Sequence, residues 1–288
     1  MTAPLILTVG SLHYDIMVEA DHLPARDETA VGSRWYPKFG GKGGNQAVSA
    51  RRQGAASRMF GAVGDDDFGR FLRDGLRGAG VDDRFVATLP VGSGMSLAIQ
   101  DRAGDYAATI VSGANLAIDP AALHDDALWD GVALLILQNE VPDAVNLAAA
   151  AEAQRRGLRV ILNAAPARLL PPALPLLVDV LVVNAVEAGM MGAGHVHTLQ
   201  DAAKAAHHLS ARFKAVVVTA GALGLAARSP GVELMLPAER ITVVSSHGAG
   251  DAFIGALATA LARGENLPNA CEAASKAAAR HVAGLFQS

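Results

Sequence analysis

In this 288-residue sequence, the strongest hint of chemistry is three small residues placed directly ahead of a helical stretch and followed at once by an acid. The segment is His247-Gly248-Ala249-Gly250-Asp251-Ala252-Phe253, and residues 254–263 continue it with helical character. Small residues leave the first backbone N–H groups of a helix unobstructed. Those donors, with the positive end of the helix dipole, make a place for an anion. A carboxylate beside such a place suits phosphoryl transfer, because the donors hold charge on the migrating group while the acid takes the attacking hydroxyl's proton. An Asp in a first turn also serves as an ordinary helix cap. The Gly-Ala-Gly run favours the anion site, since capping does not need bare backbone on both sides of the acid.

A second glycine-rich segment is Gly40-Gly41-Lys42-Gly43-Gly44-Asn45-Gln46-Ala47, leading into a helix that ends near Gly54. It lacks the Gly-x4-Gly-Lys-Ser/Thr order of a nucleotide P-loop, and no strand runs straight into it. Close backbone approach with Lys42 and Asn45 suits hydrogen bonding to a polyol, although a glycine-rich turn capped by Asn45 would look the same. Three further polar positions follow apolar runs: Asp15, the pair Asn139-Glu140, and Asn184 with Glu187. Each can be read as a turn former or helix cap. Each also falls at the carboxyl end of an expected strand, where open α/β sheets gather their ligands.

The elements that must position these residues are legible as a rhythm. Nearly continuous Val, Ile and Leu runs occur at residues 5–10, 133–138, 160–163, 180–184 and 215–219. Such runs fit strands covered on both faces. Helical segments lie between them, with Asp119-Pro120 read as an N-cap and first-turn proline, and a helix opening at Pro142 and stopping at Gly157. The alternation implies right-handed crossovers and a mostly parallel sheet, hence an α/β fold. Two stretches break the rhythm, one ending at Phe39 and one starting at Phe85. Their short alternating segments, with turn formers such as Ala103-Gly104-Asp105, predict a small antiparallel sheet over one edge of the main domain, either a lid or a surface excursion.

Bulk properties narrow the class of partner. The chain is 51% hydrophobic and 18% charged, which is ample for a full core, and its net charge is -4. The 24 basic residues are scattered, so no footprint for nucleic acid or a membrane surface is expected. One cysteine, Cys271, permits no intramolecular disulfide and no zinc cluster, and it reads as a small core residue. No run has the length of a membrane span and no targeting segment opens the chain, so the expected location is cytoplasmic.

Taken together, the two glycine-rich segments resemble the signatures of the ribokinase-like family, also called the phosphofructokinase-B family of sugar kinases. GGKGGNQAVSARRQGA at residues 40–55 matches the first signature and HGAGDAFIGALATAL at residues 247–261 the second. The family's order also covers Gly10-Ser11-Leu12-His13-Tyr14-Asp15, Gly64-Asp65-Asp66-Asp67-Phe68-Gly69, Gln138-Asn139-Glu140, Asn163-Ala164-Ala165-Pro166-Ala167, Asn184-Ala185-Val186-Glu187 and Thr219-Ala220-Gly221. The resemblance implies a single kinase domain over residues 1–288 with a β-sheet lid formed by about 12–39 and 85–113. It implies Asp251 as general base, with Gly248, Ala249 and Gly250 as anion hole. Sugar contacts would come from His13, Asp15, Gly41, Lys42, Asn45 and Glu140. Asn184, Thr219 and Gly221 would line the nucleotide site, and Glu187 would hold Mg²⁺ through water. ATP and Mg²⁺ are the implied cofactors, a pentose such as ribose the implied acceptor, and pairing of lids the implied route to a homodimer.

Two departures from the family pattern bear on substrate and cation. Ribokinases usually carry Asn where His13 stands, and an imidazole offers a different donor and acceptor pattern. Many members carry Asp-Thr where this chain has Ser245-Ser246, and the chain stops at Ser288, where a final loop usually completes a monovalent-cation site. The expectation is an enzyme insensitive to K⁺. A nucleoside kinase of the same family is the alternative, with His13 and Tyr14 facing a base. A dinucleotide-dependent oxidoreductase is a poor fit, because Gly10 is followed by Ser11-Leu12-His13 and not by Gly-x-x-Gly.

Overall fold

In the computed structural model, residues 3–103, 105–245 and 247–285 are described, so Gly104, Ser246 and Ser288 lie outside. The strands in chain order are β1 (Leu5–Val9), β2 (His13–Ala20), β3 (Gly32–Gly40), β4 (Ala56–Gly64), β5 (Asp82–Leu89), β6 (Met95–Gln100), β7 (Tyr106–Val111), β8 (Val132–Gln138), β9 (Arg159–Asn163), β10 (Val180–Asn184), β11 (Ala215–Thr219), β12 (Gly224–Ser229) and β13 (Val232–Pro237). The α-helices are α1 (Lys42–Arg52), α2 (Asp67–Gly78), α3 (Asp126–Trp129), α4 (Asp143–Arg155), α5 (Leu174–Leu177), α6 (Ala185–Ala188), α7 (Leu199–Leu209), α8 (Ala249–Ala262) and α9 (Leu267–Val282).

Nine strands form one sheet in the order β13-β12-β11-β10-β9-β8-β1-β4-β5. It is parallel except for β12 and β13, an antiparallel hairpin at one edge. The apolar runs are strands with both faces covered, as their composition requires. Leu135, Leu137, Leu162 and Val183 pack on one side against Val145, Ala149 and Leu209 of α4 and α7. Leu134, Ile136, Ile161 and Val182 pack on the other against Phe253, Leu257 and Cys271 of α8 and α9. Cys271 is fully buried, and burial pushes its thiol up to about 12. Asp119 caps only a 3₁₀ turn, Pro120–His124, where a helix was expected. The sheet's order reverses at β1, which lies between β8 and β4, so the crevice for a ligand opens at the carboxyl ends of these central strands.

A second sheet of four strands, β3-β2-β6-β7, stands apart. It differs from expectation in two ways. Its two antiparallel hairpins meet through a parallel pairing of β2 with β6, so the sheet is mixed. It also starts later than residue 85, because β5 pairs parallel with β4 as the edge of the main sheet. Val86 is buried there among Leu72, Leu76 and Val63, and the Arg58 guanidinium sits 5.3 Å over the Phe85 ring. That burial keeps the strand in the main sheet and leaves only β6 and β7 for the second one. Tyr14 pins the second sheet to α2, its ring stacked on Phe68 at 4.0 Å and edge-on to Phe71 at 4.8 Å.

Candidate active site

The second sheet and the carboxyl ends of the central strands enclose a cleft of about 960 Å³. Three elements bring chemistry to it. The first is the start of α1, where the chain turns through Gly41 at φ +85°, a region open to glycine. A Cβ at Gly41 would lie 2.7 Å from the His13 nitrogen, so the turn packs against the strand that carries His13 and Asp15. Glu140, in the loop after β8, closes this corner. Its Oε2 accepts the Lys42 N–H at 2.8 Å and the Ser11 hydroxyl, and stands 3.9 Å from His13 Nδ1. The carboxylate thus caps α1 from outside and holds one wall of the cleft.

The second element is the start of α8. Gly248 is the N-cap at φ +81°, and the first helical bond closes from the Ala252 N–H to the Gly248 carbonyl at 2.9 Å. The N–H groups ahead of it have no partner within the helix. An added Cβ at Gly250 would meet nothing within 4 Å, so this backbone is bare on its cleft side. Asp251 follows in the first turn. Its Oδ1 accepts from Gln46 Nε2 at 2.9 Å and its Oδ2 from Asn45 Nδ2 at 3.3 Å. Burial raises the Asp251 carboxyl above its ordinary range, against the pull of Lys42 and of these two bonds.

The third element is the inner face of the second sheet. Register sets Lys38, Asp15, Ser96 and Ile110 side by side in one row, and Tyr36, Met17, Ala98 and Ala108 in the next. All eight line the cleft. Ser96 donates its hydroxyl to Asp15 Oδ1. Burial raises the Asp15 carboxyl and lowers the Lys38 ammonium, each opposed by the charge of the other.

Along the far wall, Asn184 and Glu187 form a capping box on the short α6. The Glu187 N–H donates to Asn184 Oδ1 at 2.8 Å, and Glu187 Oε2 accepts the Asn184 N–H at 2.9 Å. Both the cap reading and the ligand reading of this pair therefore keep their basis, since both residues also line the cleft. Desolvation raises the Glu187 carboxyl, with Lys42 as the opposing charge.

His13, Asp15, Gly41, Lys42, Asn45, Glu140, Asn184, Glu187, Thr219, Gly248, Gly250 and Asp251 all line this one cleft. Ala249 and Gly221 do not. Ala249 opens α8 behind Gly248, and Gly221 begins a 3₁₀ turn two residues past the end of β11. Sequence reasoning missed Lys38 and Ser96 as cleft residues, and Gln46 as a partner of Asp251. Lys38 was findable from strand alternation with Tyr36, whereas Gln46 gives no sign of itself beyond lying in a glycine-rich segment. Ser245 also lines the cleft and brings no charge to it.

Residues 3–283 match the pfkB family carbohydrate kinase. The chain is 33% identical over 271 residues to a ribokinase of Mus musculus, covering 92% of this chain and 84% of that protein. Its fold matches a ribokinase of Arabidopsis thaliana, solved with ribose and ATP, at a TM-score of 0.90 and 26% identity, covering 99% and 94% of the two chains. A Burkholderia thailandensis nucleoside kinase, solved with inosine, shares the fold at a TM-score of 0.77 and 21% identity, covering 98% and 90%. With a family match over nearly its whole length, this chain belongs to the pfkB family of carbohydrate kinases.

Proposed function

We propose that this kinase transfers the γ-phosphoryl of ATP to the primary hydroxyl of a pentose, with ribose the first candidate. The observation that carries the reading is the placement of Asp251 between a set of polar side chains and a bare helix N-terminus. On one side Asp15, Lys42, Asn45 and Glu140 offer the acceptor-and-donor mix that a polyol needs. On the other the bare N–H groups of α8 face where the migrating phosphoryl would sit. Asp251 takes the proton of the attacking hydroxyl, the hydroxyl oxygen bonds to the γ-phosphorus, and the bond to the bridging oxygen breaks to release ADP. Its raised carboxyl is a better proton acceptor than an ordinary one. Asn184 and Thr219 line the nucleotide's share of the cleft in this reading.

Mg²⁺ fits the residues present. Glu187 is a desolvated carboxylate in the cleft with one oxygen committed to a backbone N–H. Among the described residues no group of three or more His, Cys, Asp or Glu could hold a metal alone. A single carboxylate suits an ion that keeps most of its waters and takes its other ligands from substrate phosphates. Bound there, Mg²⁺ would offset phosphate charge. Ser245 carries no charge to hold a monovalent cation, so turnover is expected to be the same in K⁺ as in a tetramethylammonium buffer. Among the described residues no helix is long and apolar enough to cross a membrane, and dependence on ATP is in keeping with a cytoplasmic setting.

A second reading has one observation in its favour. The outer row of the second sheet, Tyr36, Met17, Ala98 and Ala108, is largely apolar and could cover a nucleobase attached to the sugar. ADP release measured over a panel of pentoses, hexoses and nucleosides with MgATP, with and without K⁺, separates these readings. Ribose is expected to give the highest kcat/KM. A nucleoside preferred over every free sugar would sink the pentose reading, and a K⁺ activation above about tenfold, worth 1.4 kcal/mol, would sink the cation reading.

A further inference from the structure

Gln46 is fully buried on α1, between two acceptors. Its Nε2 donates to Asp251 Oδ1 at 2.9 Å and to Asn163 Oδ1 at 3.0 Å. The main sheet sets the direction of both bonds. The Val182 carbonyl can only accept, so Asn163 turns Nδ2 toward it at 3.3 Å and leaves Oδ1 for Gln46. Gln46 must then present its NH₂ group, whose two protons go one to each acceptor. Flipped, it would aim a carbonyl at a carboxylate. The remaining atom, Gln46 Oε1, is buried with no partner in the protein. An amide that keeps a buried carbonyl unpaired in this way is held by its other end.

We infer that Gln46 is a positioning residue for the reaction: it anchors Asp251 Oδ1 to the main sheet through Asn163 and reserves Oδ2 as the atom that takes the hydroxyl proton. This rests on the reading of Asp251 as the base. Oδ2 has only the longer contact from Asn45 at 3.3 Å, which a substrate hydroxyl can replace. The two carboxylate oxygens are therefore unequal before substrate arrives. One accepts a short bond from a buried donor, and the other has only the longer contact.

Other charges near Asp251 come from three directions. Lys42 on α1 favours its ionised form and Glu140 opposes it. His247 precedes α8, and Lys38 and Asp15 reach the cleft from the second sheet. A change at position 46 leaves all of these in place. Gln46→Met keeps length and volume while removing the donor. Losing a bond to the ionised form makes Asp251 harder to ionise, so the acid limb of kcat/KM against pH is expected to move up by about one unit. Turnover below that limb falls about tenfold, with KM for ATP unchanged. Asn163→Ala cuts only the anchor, and is expected to move the limb the same way by less.

Asp251→Asn is run beside them. If Asp251→Asn is inactive and the acid limb of Gln46→Met coincides with that of the parent, the anchoring role is overturned while the base stands. If Asp251→Asn keeps near-full turnover, the base reading fails and the inference with it. Should Gln46→Met not fold, Asn163→Ala decides, and an unmoved limb there overturns the inference equally.

Discussion

At the scale of single residues, Asp251 is held at a cost to the fold. Its carboxyl is raised above the ordinary 3.8 chiefly by burial. A folded pKa above the unfolded one means that stability is highest below the unfolded value and is lost as pH rises through the folded value. Above that folded value the ionised Asp251 therefore opposes folding, and an isosteric amide relieves it. Asp251→Asn is expected to cut turnover by about 10³-fold or more while raising Tm at pH 7 by about 2 °C. The gain in Tm should shrink as pH falls from 7 toward 4, because the raised carboxyl takes up its proton at a higher pH than an ordinary one. Scanning calorimetry at both pH values checks this, and a lower Tm at pH 7 would contradict the desolvation argument. The residue types in this site were legible, but their partners were not. Ser96 is 81 positions from Asp15 and Gln46 is 205 from Asp251.

At the scale of elements, the N-terminus of α8 holds two glycines with different physical reasons. Gly248 needs the left-handed region, and a Cβ there would stand 2.9 Å from His281 Nε2, which also lies 2.9 Å from the His247 carbonyl oxygen. Gly250 has open space where a Cβ would be, and it lines the cleft. Gly248→Ala is expected to cost about 1–3 kcal/mol of stability, seen as a Tm several degrees lower, together with lost activity. Gly250→Ala is expected to leave Tm within about 1 °C and still lower kcat by about tenfold or more, since its methyl would enter the place proposed for the phosphoryl. Equal Tm losses in the two variants would mean the glycines share one structural role. The same scale shows why β4 and β5 gave no clear signal. β4 is interrupted by Arg58, Gly61 and Gly64, and β5 opens on three consecutive charged residues, Asp82-Asp83-Arg84, at an edge. Neither makes the unbroken apolar run that marks β8 or β10.

At the scale of the whole molecule, the two faces of the second sheet meet different surroundings. One carries Asp15, Lys38 and Ser96 into the cleft. The other exposes Trp35, Leu97 and Val111, which are 63%, 38% and 51% accessible. Exposed apolar residues gathered on one sheet face mark a contact surface, and we propose that two copies pair through it, with each sheet acting as the lid over its own cleft. Light scattering is expected to give twice the 29.5 kDa of one chain. Trp35→Asp should return the mass to that of a monomer and raise KM for the sugar. A parent protein that scatters as a monomer at micromolar concentration would remove the pairing.

The sequence by itself determined the chemistry available. Gly-Ala-Gly-Asp ahead of a helix, Gly-Gly-Lys-Gly-Gly-Asn at another, and polar residues closing apolar runs are local patterns with local causes, so the α/β class and several of the polar cleft residues could be read from them. Only the tertiary structure decided which of those residues meet. The mixed second sheet depends on a parallel pairing between β2 and β6, whose partners are about 80 positions apart. The assignment of β5 to the main sheet depends on what Val86 packs against. Asp251 was visible from the start as an acid at a bare helix end. That one of its oxygens is taken, by an amide on a helix some 200 positions earlier, follows from how α1 and α8 pack. Contacts of that kind depend on chain closure and burial, which leave no periodic mark in the sequence.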